Sequence, residues 1–452
     1  MKKIGVALLG LGVVGGGTYE ILRDKREMIK QNEGIDLEIK HVLERNLQRC
    51  ADLGVDLSIV TQNIDDIVND DQVQIVAEFF GGVEPAKSYL LKALQNGKSV
   101  VTANKEMFSK CWHELESVAS KSGAGLYFEA SCVGGVPVIR TLTESMQANC
   151  ITSLKGIVNG TTNYILSKMS DESVDYHTCL KEAQKLGYAE ANPTADVEGF
   201  DATYKNSILS SLAYHRRVPV DKVYREGISG ISVEDIAIGK ELGYEIKLLA
   251  ISKLTDEGKI EARVHPCFLP KDHPLASVKG SFNALFMHGD SVDDVMLYGR
   301  GAGAFPTGSA IVSDIVFAGS KDVHRRYDFM CEEVQDESFA SDFSTSYYIR
   351  IAVENRDDAL AVENHANALA VENRDDALAV GNHANALAKI SAVFVKNCIF
   401  IHSVLKKTMK NGEDCFVFVT AKTNESNMQN TLRQIENLDV VNGVSALIRV
   451  EE

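Results

Sequence analysis

The chain has 452 residues, 45% hydrophobic and 24% charged, with a net charge of 47 − 63 = −16. At about 150 residues per domain that length suggests roughly three domains, and the composition excludes a wholly disordered or fibrous chain. The acidic balance argues against nucleic acid or an anionic membrane surface as partners, and nine scattered Cys with no C-x-x-C pair argue against a disulfide framework or a zinc site.

Lys2-Lys3 and the apolar run Ile4–Val14 look like a secretory signal, but Gly5, Gly10 and Gly12 break the run and no A-x-A site follows. A buried strand entering a glycine turn is the better reading. No other stretch reaches the roughly 18 apolar residues of a membrane span, so a soluble, cytoplasmic protein is expected. Strands are expected over Ile4–Leu9, Leu37–Leu43, Gln74–Phe79, Ser99–Thr102 and Leu126–Glu129, alternating with helices over Val13–Gln31, Pro85–Asn96 and Lys105–Ser122. That alternation predicts an α/β fold, a doubly wound parallel sheet with helices on both faces.

From residue 131 the pattern changes. Helical stretches (Val174–Leu186, Ala202–His215, Val233–Leu242) mix with β-rich ones (Ile151–Val158, Tyr244–Leu254, Lys259–Val264, Ala284–His288), which predicts a mixed α+β second domain. A helix near Thr307–Ala318 follows a glycine-rich turn. From about Ser346 the tail reads as a separate small α+β module. Inside it, residues 352–369 and 370–387 differ only at Glu363 against Gly381, and the finer unit is a nonapeptide in four copies. Such short units read as a tandem expansion and not as a solenoid. Seven acidic residues against two Arg give the repeat a charge of −5. A partly helical, mobile excursion is expected there.

Six motifs carry chemistry. Gly10-Leu11-Gly12-Val13-Val14-Gly15 follows a strand and opens a helix, the context in which G-x-G-x-x-G cradles a dinucleotide's pyrophosphate at a helix N-terminus. At the end of the second strand, Glu44 suits a ribose 2′-hydroxyl and Arg45 a 2′-phosphate. The two point to opposite coenzymes, NAD and NADP, with a slight lean to NADP. Val101–Glu106 places Lys105 just after a strand, where doubly wound sheets bind ligands. Gly156–Tyr164 is a polar Asn/Thr turn suited to a small polar substrate. The block 187–205 (GYAEANPTADVEGFDATYK) sets Glu190, Asp196, Glu198 and Asp201 before Lys205. Asp201 and Lys205 are spaced i,i+4 and share one helix face. Acidic groups there suit the ammonium of an amino acid, and Lys205 suits proton transfer to a carbonyl oxygen. Gly299–Thr307 is a second glycine-rich loop before a helix.

Together, GLGVVG (10–15), VTANKE (101–106), EASCVGGVP (129–137), GIVNGTTNYIL (156–166), the 187–205 block and YGRGAGAFPTGSAIVSDI (298–315) make the chain resemble homoserine dehydrogenases of the bacterial form with a C-terminal ACT domain. The resemblance covers about 1–350 and then 388–452. It implies reversible NAD(P)-dependent oxidation of L-homoserine to L-aspartate 4-semialdehyde, in threonine, methionine and isoleucine biosynthesis. It implies a Rossmann domain at 1–130 with a return segment at about 304–330, a substrate and dimerisation domain at 131–303, and an ACT-like regulatory domain at 346–452 carrying the insertion at 352–387. Lys205 would be the proton donor and acceptor, Lys105 the second active-site lysine, Glu190 a substrate ligand and Asp201 its support. Gly10, Gly12, Val13, Val14, Gly15, Arg45, Lys105 and Gly303 would hold the coenzyme. A sodium ion would sit on the turn of Glu129, Cys132, Gly134 and Val136, largely on backbone carbonyls, with Cys132 replacing the family's usual Val. A homodimer or homotetramer is expected.

The tail departs from the family pattern: Asn385 stands where a Gly is expected, and three extra nonapeptides separate the strand from its helix. A pocket for an amino-acid effector on that turn is expected to be disturbed. A second reading keeps the nucleotide and ACT folds but makes the chain a catalytically inactive amino-acid sensor; the presence of both Lys105 and Lys205 argues against it.

Overall fold

The computed structural model describes residues 2–354 and 374–451. Most of the first three nonapeptides lies outside the described residues; the backbone of the later part is helical from Arg374 to Lys396.

The first sheet comprises β1 (Lys2–Leu9), β2 (Ile35–Leu43), β3 (Val60–Thr61), β4 (Ile75–Glu78), β5 (Ser99–Thr102) and β6 (Leu126–Tyr127), all parallel, in the order β3-β2-β1-β4-β5-β6. This is the doubly wound dinucleotide-binding order, and its switch point lies between β1 and β4. The period-2 alternation of β1 serves both faces: Val6 and Leu8 enter one core, Ala7 and Leu9 the other. Helix Ala304–Ser320 returns to pack on helix Val13–Glu33, closing one face. Between β2 and β4 lie two helices that were not anticipated, Leu47–Leu53 and Ile64–Val68. They are too short to show a period, and each is set by an Asn cap (Asn46, Asn63).

The second sheet comprises β7 (Ile151–Ile157), β8 (Tyr224–Arg225), β9 (Tyr244–Leu254), β10 (Ile260–Pro270), β11 (Phe282–Gly289), β12 (Asp293–Arg300), β13 (Ser344–Val353), β14 (Ile401–Thr408), β15 (Asp414–Thr420), β16 (Thr423–Asn424) and β17 (Val441–Val450). Its path is β12-β11-β7-β9-β10-β17-β13-β15-β14, with β8 on β10 and β16 on β13. The sequence suggests β10 only as far as Val264, because Pro266 and Pro270 read as breakers. Pro266 is tolerated because it lies at the step where the outer neighbour of β10 changes from β8 to β17. β12, with its paired Asp start and Gly299, reads as loop in the sequence but is an edge strand against β11.

The tail has the order β13, helix Arg374–Lys396, β14, β15, helix Glu425–Glu436, β17, with strands arranged 4-1-3-2. That is the split βαβ arrangement of ferredoxin-like modules. Tyr347, Ile351, Ile390, Phe394, Phe418 and Ile435 fill its own core. It is nevertheless continuous with the second domain. Parallel pairing of Cys267 with Arg449 and Phe268 with Val450 joins the two into one sheet. The seam is ionic and buried: Arg263, 0% exposed, donates to Glu451 at 2.6 Å, and Arg350 grips Asp235 with bonds of 2.7 and 3.0 Å.

Candidate active site

At the end of β1, Gly10 has φ +100°. A Cβ on Gly15 would stand 2.2 Å from the Gly10 carbonyl oxygen, so only glycine lets helix Val13–Glu33 start this close to the turn. A Cβ on Gly12 would meet nothing within 4 Å, and Val13 is 69% exposed. The helix N-terminus, flanked by Val13 and Val14, is therefore open to an anion, which fits a pyrophosphate. Glu44 does not present a free carboxylate there. It accepts the N–H groups of Leu11 (2.8 Å), Arg45 (2.8 Å) and Asn46 (2.9 Å), tying the glycine turn to the end of β2. Arg45 is exposed beside it, and Arg49 donates to the Leu11 carbonyl at 2.9 Å. The sequence did not single out Arg49; only the folded turn brings it 38 residues back along the chain.

Between β4 and β5 a buried network shapes the turn before Lys105. Glu78, 0% exposed, accepts the Thr102 hydroxyl at 2.6 Å and the Phe80 N–H at 2.5 Å. The Thr102 hydroxyl oxygen accepts the Asn104 N–H, and the Asn104 side chain caps helix Lys105–Ser122 while donating to the Gly82 carbonyl. Lys105 thus begins its helix in a fixed direction. Burial pushes the Glu78 carboxyl up to about 7, outweighing these hydrogen bonds. A raised carboxyl stabilises the fold below its unfolded value and loses that contribution as pH rises through the native value. From pH 5 to 8 this group is expected to weaken the native state by up to about 3 kcal/mol. Urea unfolding of Glu78→Gln should show that pH slope flattened; an unchanged slope would exclude Glu78 as its source.

The centre itself lies at the start of helix Phe200–Tyr214, which is buried nearly all round. Asp201 is the hub. Its Oδ2 accepts Lys205 Nζ at 2.7 Å and Asn159 Nδ2 at 2.9 Å, and its Oδ1 lies 3.3 Å from Lys105 Nζ. Lys205 Nζ also donates to the Val158 carbonyl at 2.7 Å. Asn159 caps helix Gly160–Glu172 with its oxygen and spans Asp196 (2.7 Å) and Asp201 with its amide protons. The side chains of Asp201 and Lys205 are 7% and 10% exposed, that of Lys105 42%. Burial alone would raise the Asp201 carboxyl; Lys205, Lys105 and Asn159 together hold it well below its usual range. Asp201 in turn raises the Lys105 ammonium, against desolvation. Burial, then the charge of Asp201, raises Asp196. An ammonium has three N–H donors. With two on Asp201 and Val158, Lys205 keeps one for a substrate oxygen.

The remaining expected residues lie around this centre. Glu190 is exposed, on a loop pinned to helix Gly160–Glu172 by the bond from Thr161 to the Tyr188 carbonyl (2.7 Å). The structure does not join its carboxylate to the Asp201 hub. Glu129 is buried, and its carboxylate accepts the N–H groups of Ile139 (2.9 Å) and Arg140 (2.7 Å). Burial and neighbouring Asp314 push it up to about 7. Its carbonyl accepts the Cys132 N–H, and that of Val136 accepts the Val138 N–H. Between them, Val133 and Gly134 take left-handed φ of +56° and +50°. Among the described residues no cluster of three or more His, Cys, Asp or Glu side chains is set to hold a metal. The oxygens on this turn are carbonyls, donors that suit a hard cation. Cys132 Sγ lies 3.9 Å from the Lys205 carbonyl. Gly303, φ +120°, starts helix Ala304–Ser320, and its loop bonds the turn through Gly135 N–H to the Arg300 carbonyl (3.0 Å).

Two family models match: "Homoserine dehydrogenase, NAD binding domain" over residues 10–129 and "Homoserine dehydrogenase" over 137–316. The chain is 36% identical to the Bacillus subtilis homoserine dehydrogenase, covering 100% of this chain and 99% of that protein. Among solved structures, a Thiobacillus denitrificans homoserine dehydrogenase is 36% identical with a TM-score of 0.86, covering 100% and 99% of the two chains. A hyperthermophilic archaeal homoserine dehydrogenase, solved in complex with NADPH, is 27% identical with a TM-score of 0.60, covering 70% of this chain and 97% of its own.

Proposed function

Because the chain belongs to the homoserine dehydrogenase family, we propose that Lys205 is the group that exchanges the proton with the substrate oxygen, with Asp201 and Lys105 fixing its position and charge. The family's activity, an NAD(P)-dependent oxidoreduction, interconverts L-homoserine and L-aspartate 4-semialdehyde. The coenzyme that Gly10, Gly12 and Gly15 would hold would supply the hydride acceptor, or the donor in reverse, for the carbinol carbon. Lys205, anchored at 2.7 Å to both Asp201 and the Val158 carbonyl, aims its remaining donor at the substrate oxygen. As an ammonium it gives the aldehyde oxygen a proton; as an amine it takes the hydroxyl proton in the reverse direction. Lys105, on the other oxygen of Asp201, faces the open side and suits the substrate's or coenzyme's negative groups. Glu190 offers a carboxylate to the substrate ammonium. The observation that carries this reading is the single buried carboxylate holding two lysines on opposite oxygens. Absorbance at 340 nm with L-homoserine and either coenzyme tests it. Nothing in this geometry favours the inactive-sensor reading.

The coenzyme glycines (Gly10, Gly12, Gly15), Val13 and Val14 at the helix start, and Gly303 complete the coenzyme assignment. NADP is the proposed preference, since Glu44 is committed to backbone N–H groups while Arg45 stands exposed at the ribose end. Losing a charge-assisted bond to phosphate costs about 1.5–3 kcal/mol, so Arg45→Ser should raise KM for NADP by about 10-fold or more and leave that for NAD within about twofold. Equal changes for both coenzymes would refute the assignment.

The same proposal includes sodium on the carbonyls of Glu129, Cys132, Gly134 and Val136, where the left-handed turn at Val133–Gly134 supports it. A carbonyl that already accepts one N–H keeps a second lone pair. It includes the division into 1–130 with 304–330, 131–303 and 346–452. It includes an ACT-like regulatory role for the last segment, supported by the 4-1-3-2 order. A homo-oligomer is supported by open edges at β12 and β14. A cytoplasmic place accords with the finding that no helix among the described residues is long and apolar enough to cross a membrane.

A further inference from the structure

We propose that Arg225, which lies outside the cluster of Asp201, Lys205 and Lys105, is a positioning residue for the reaction, and that Arg449 of the C-terminal module holds it in place. Three contacts from one short segment seize the turn that launches the catalytic helix. Arg225 Nη1 donates to the Glu198 carbonyl at 2.5 Å. Its guanidinium lies 3.6 Å from the centroid of the Phe200 ring, on the residue directly before Asp201. Ile228 N–H donates to the Val197 carbonyl at 2.8 Å. Between these, Gly227 lies so close that a Cβ would stand 2.5 Å from the Val197 carbonyl oxygen. Gly199, φ +78°, starts the helix with no side-chain cap, so the turn takes its direction from contacts with other elements, these and the bond from Asn159 to Asp196 among them. A guanidinium that both stacks on a ring face and donates to a carbonyl fixes orientation as well as distance.

The segment is held from its other side. Tyr224 and Arg225 pair with Arg263 and Val264 of β10, and Glu226 N–H donates to the Val264 carbonyl at 2.8 Å. Arg449, 1% exposed on β17, donates to the Glu226 carboxylate at 2.5 Å and to the Tyr224 hydroxyl at 2.9 Å. Arg449 is itself clamped by Glu425 through bonds of 2.9 and 2.6 Å, and Glu425 also accepts the Tyr347 hydroxyl. A strut of direct contacts thus runs from the module's core to the residue before Asp201. Tilting the helix start would swing Asp201 and Lys205 together, away from Val158, Asn159 and Lys105 on other elements.

The inference rests on Lys205 and Asp201 being the reacting pair. Its test is steady-state kinetics at 340 nm on the full chain, with the folded fraction followed by circular dichroism. A misplacement of about 1 Å costs about 100-fold, so Arg225→Met should lower kcat by about 30- to 100-fold with KM for both substrates held within about threefold. Arg225→Lys, which keeps a donor for Glu198, should recover part of the loss. Phe200→Leu removes only the ring face and should lower kcat in the same direction; it carries the test if Arg225→Met does not fold. Arg449→Met should also lower kcat, and adding it to Arg225→Met should change kcat by less than about twofold more, since both act through one strut. A kcat within about twofold of the parent, or a loss that only follows the unfolded fraction, overturns the role of Arg225. Full additivity overturns that of Arg449. Lys205→Ala run in parallel separates two failures. If that variant keeps turnover, the reacting pair is misassigned; if it is inactive while Arg225→Met is intact, only the positioning role falls.

Discussion

Replacing Lys205 by alanine is expected to lower kcat by about 10³-fold while coenzyme affinity stays within about twofold. The side chain is the only one of the central groups that pairs a buried carboxylate, a backbone carbonyl and a free third donor. Its removal leaves no proton exchanger at that point, because Lys105 contacts the opposite oxygen of Asp201 from the solvent side. Coenzyme fluorescence titration supplies the second readout, since the glycine turn and Glu44 are untouched. Turnover within about tenfold of the parent would place the proton exchange on another group.

Asp201→Asn should harm both activity and stability. Lys205 and Lys105 would lose their shared anion, and breaking a buried ion pair by removing one partner costs about 3–5 kcal/mol. The cost has a pH signature. The Asp201 carboxyl is held below its usual range, so its contribution is complete above the unfolded carboxyl's ordinary value, near pH 4, and is lost as pH falls through the native value. Urea midpoints of parent and variant should therefore stand well apart at pH 7, with the gap starting to narrow only below about pH 4. A gap of constant size would show that Asp201 is not the source. Activity should fall at least as far as in Lys205→Ala, since both lysines are displaced.

Much of this site is local in sequence, and that part is legible. Helix Lys105–Ser122 starts and stops where Asn104 and Gly123 signal it should. The i,i+4 spacing of Asp201 and Lys205 yields the expected pair. The rest comes from partners far along the chain. Val158 reaches Lys205 across 47 residues and Asn159 reaches Asp201 across 42. In the sequence Asn159 is an ordinary helix cap, which it also is; its second pair of bonds depends on where helix Phe200–Tyr214 lands. Glu44 is readable as a ribose ligand from its place after β2, and the Leu11 N–H claims it only once the turn has folded back. Pro266 hides a strand because a breaker is harmless only where a neighbour changes, and neighbours are a tertiary property.

The shared sheet also sets a schedule. Arg263 is fully buried and bonded at 2.7 Å to Glu261 just before it, yet its second carboxylate partner, Glu451, lies 188 residues downstream. At about 5–20 residues per second, that second carboxylate is made about 10–40 s after Arg263. Until β17 arrives, β10 keeps an open edge in the middle of the future sheet. The three additional nonapeptides, 27 residues, fall inside this interval. Lengthening the loop by that much costs only about 0.1–0.2 kcal/mol in closure entropy. Their burden is a longer exposure of an unfinished sheet, by about 1–5 s, in every chain synthesised.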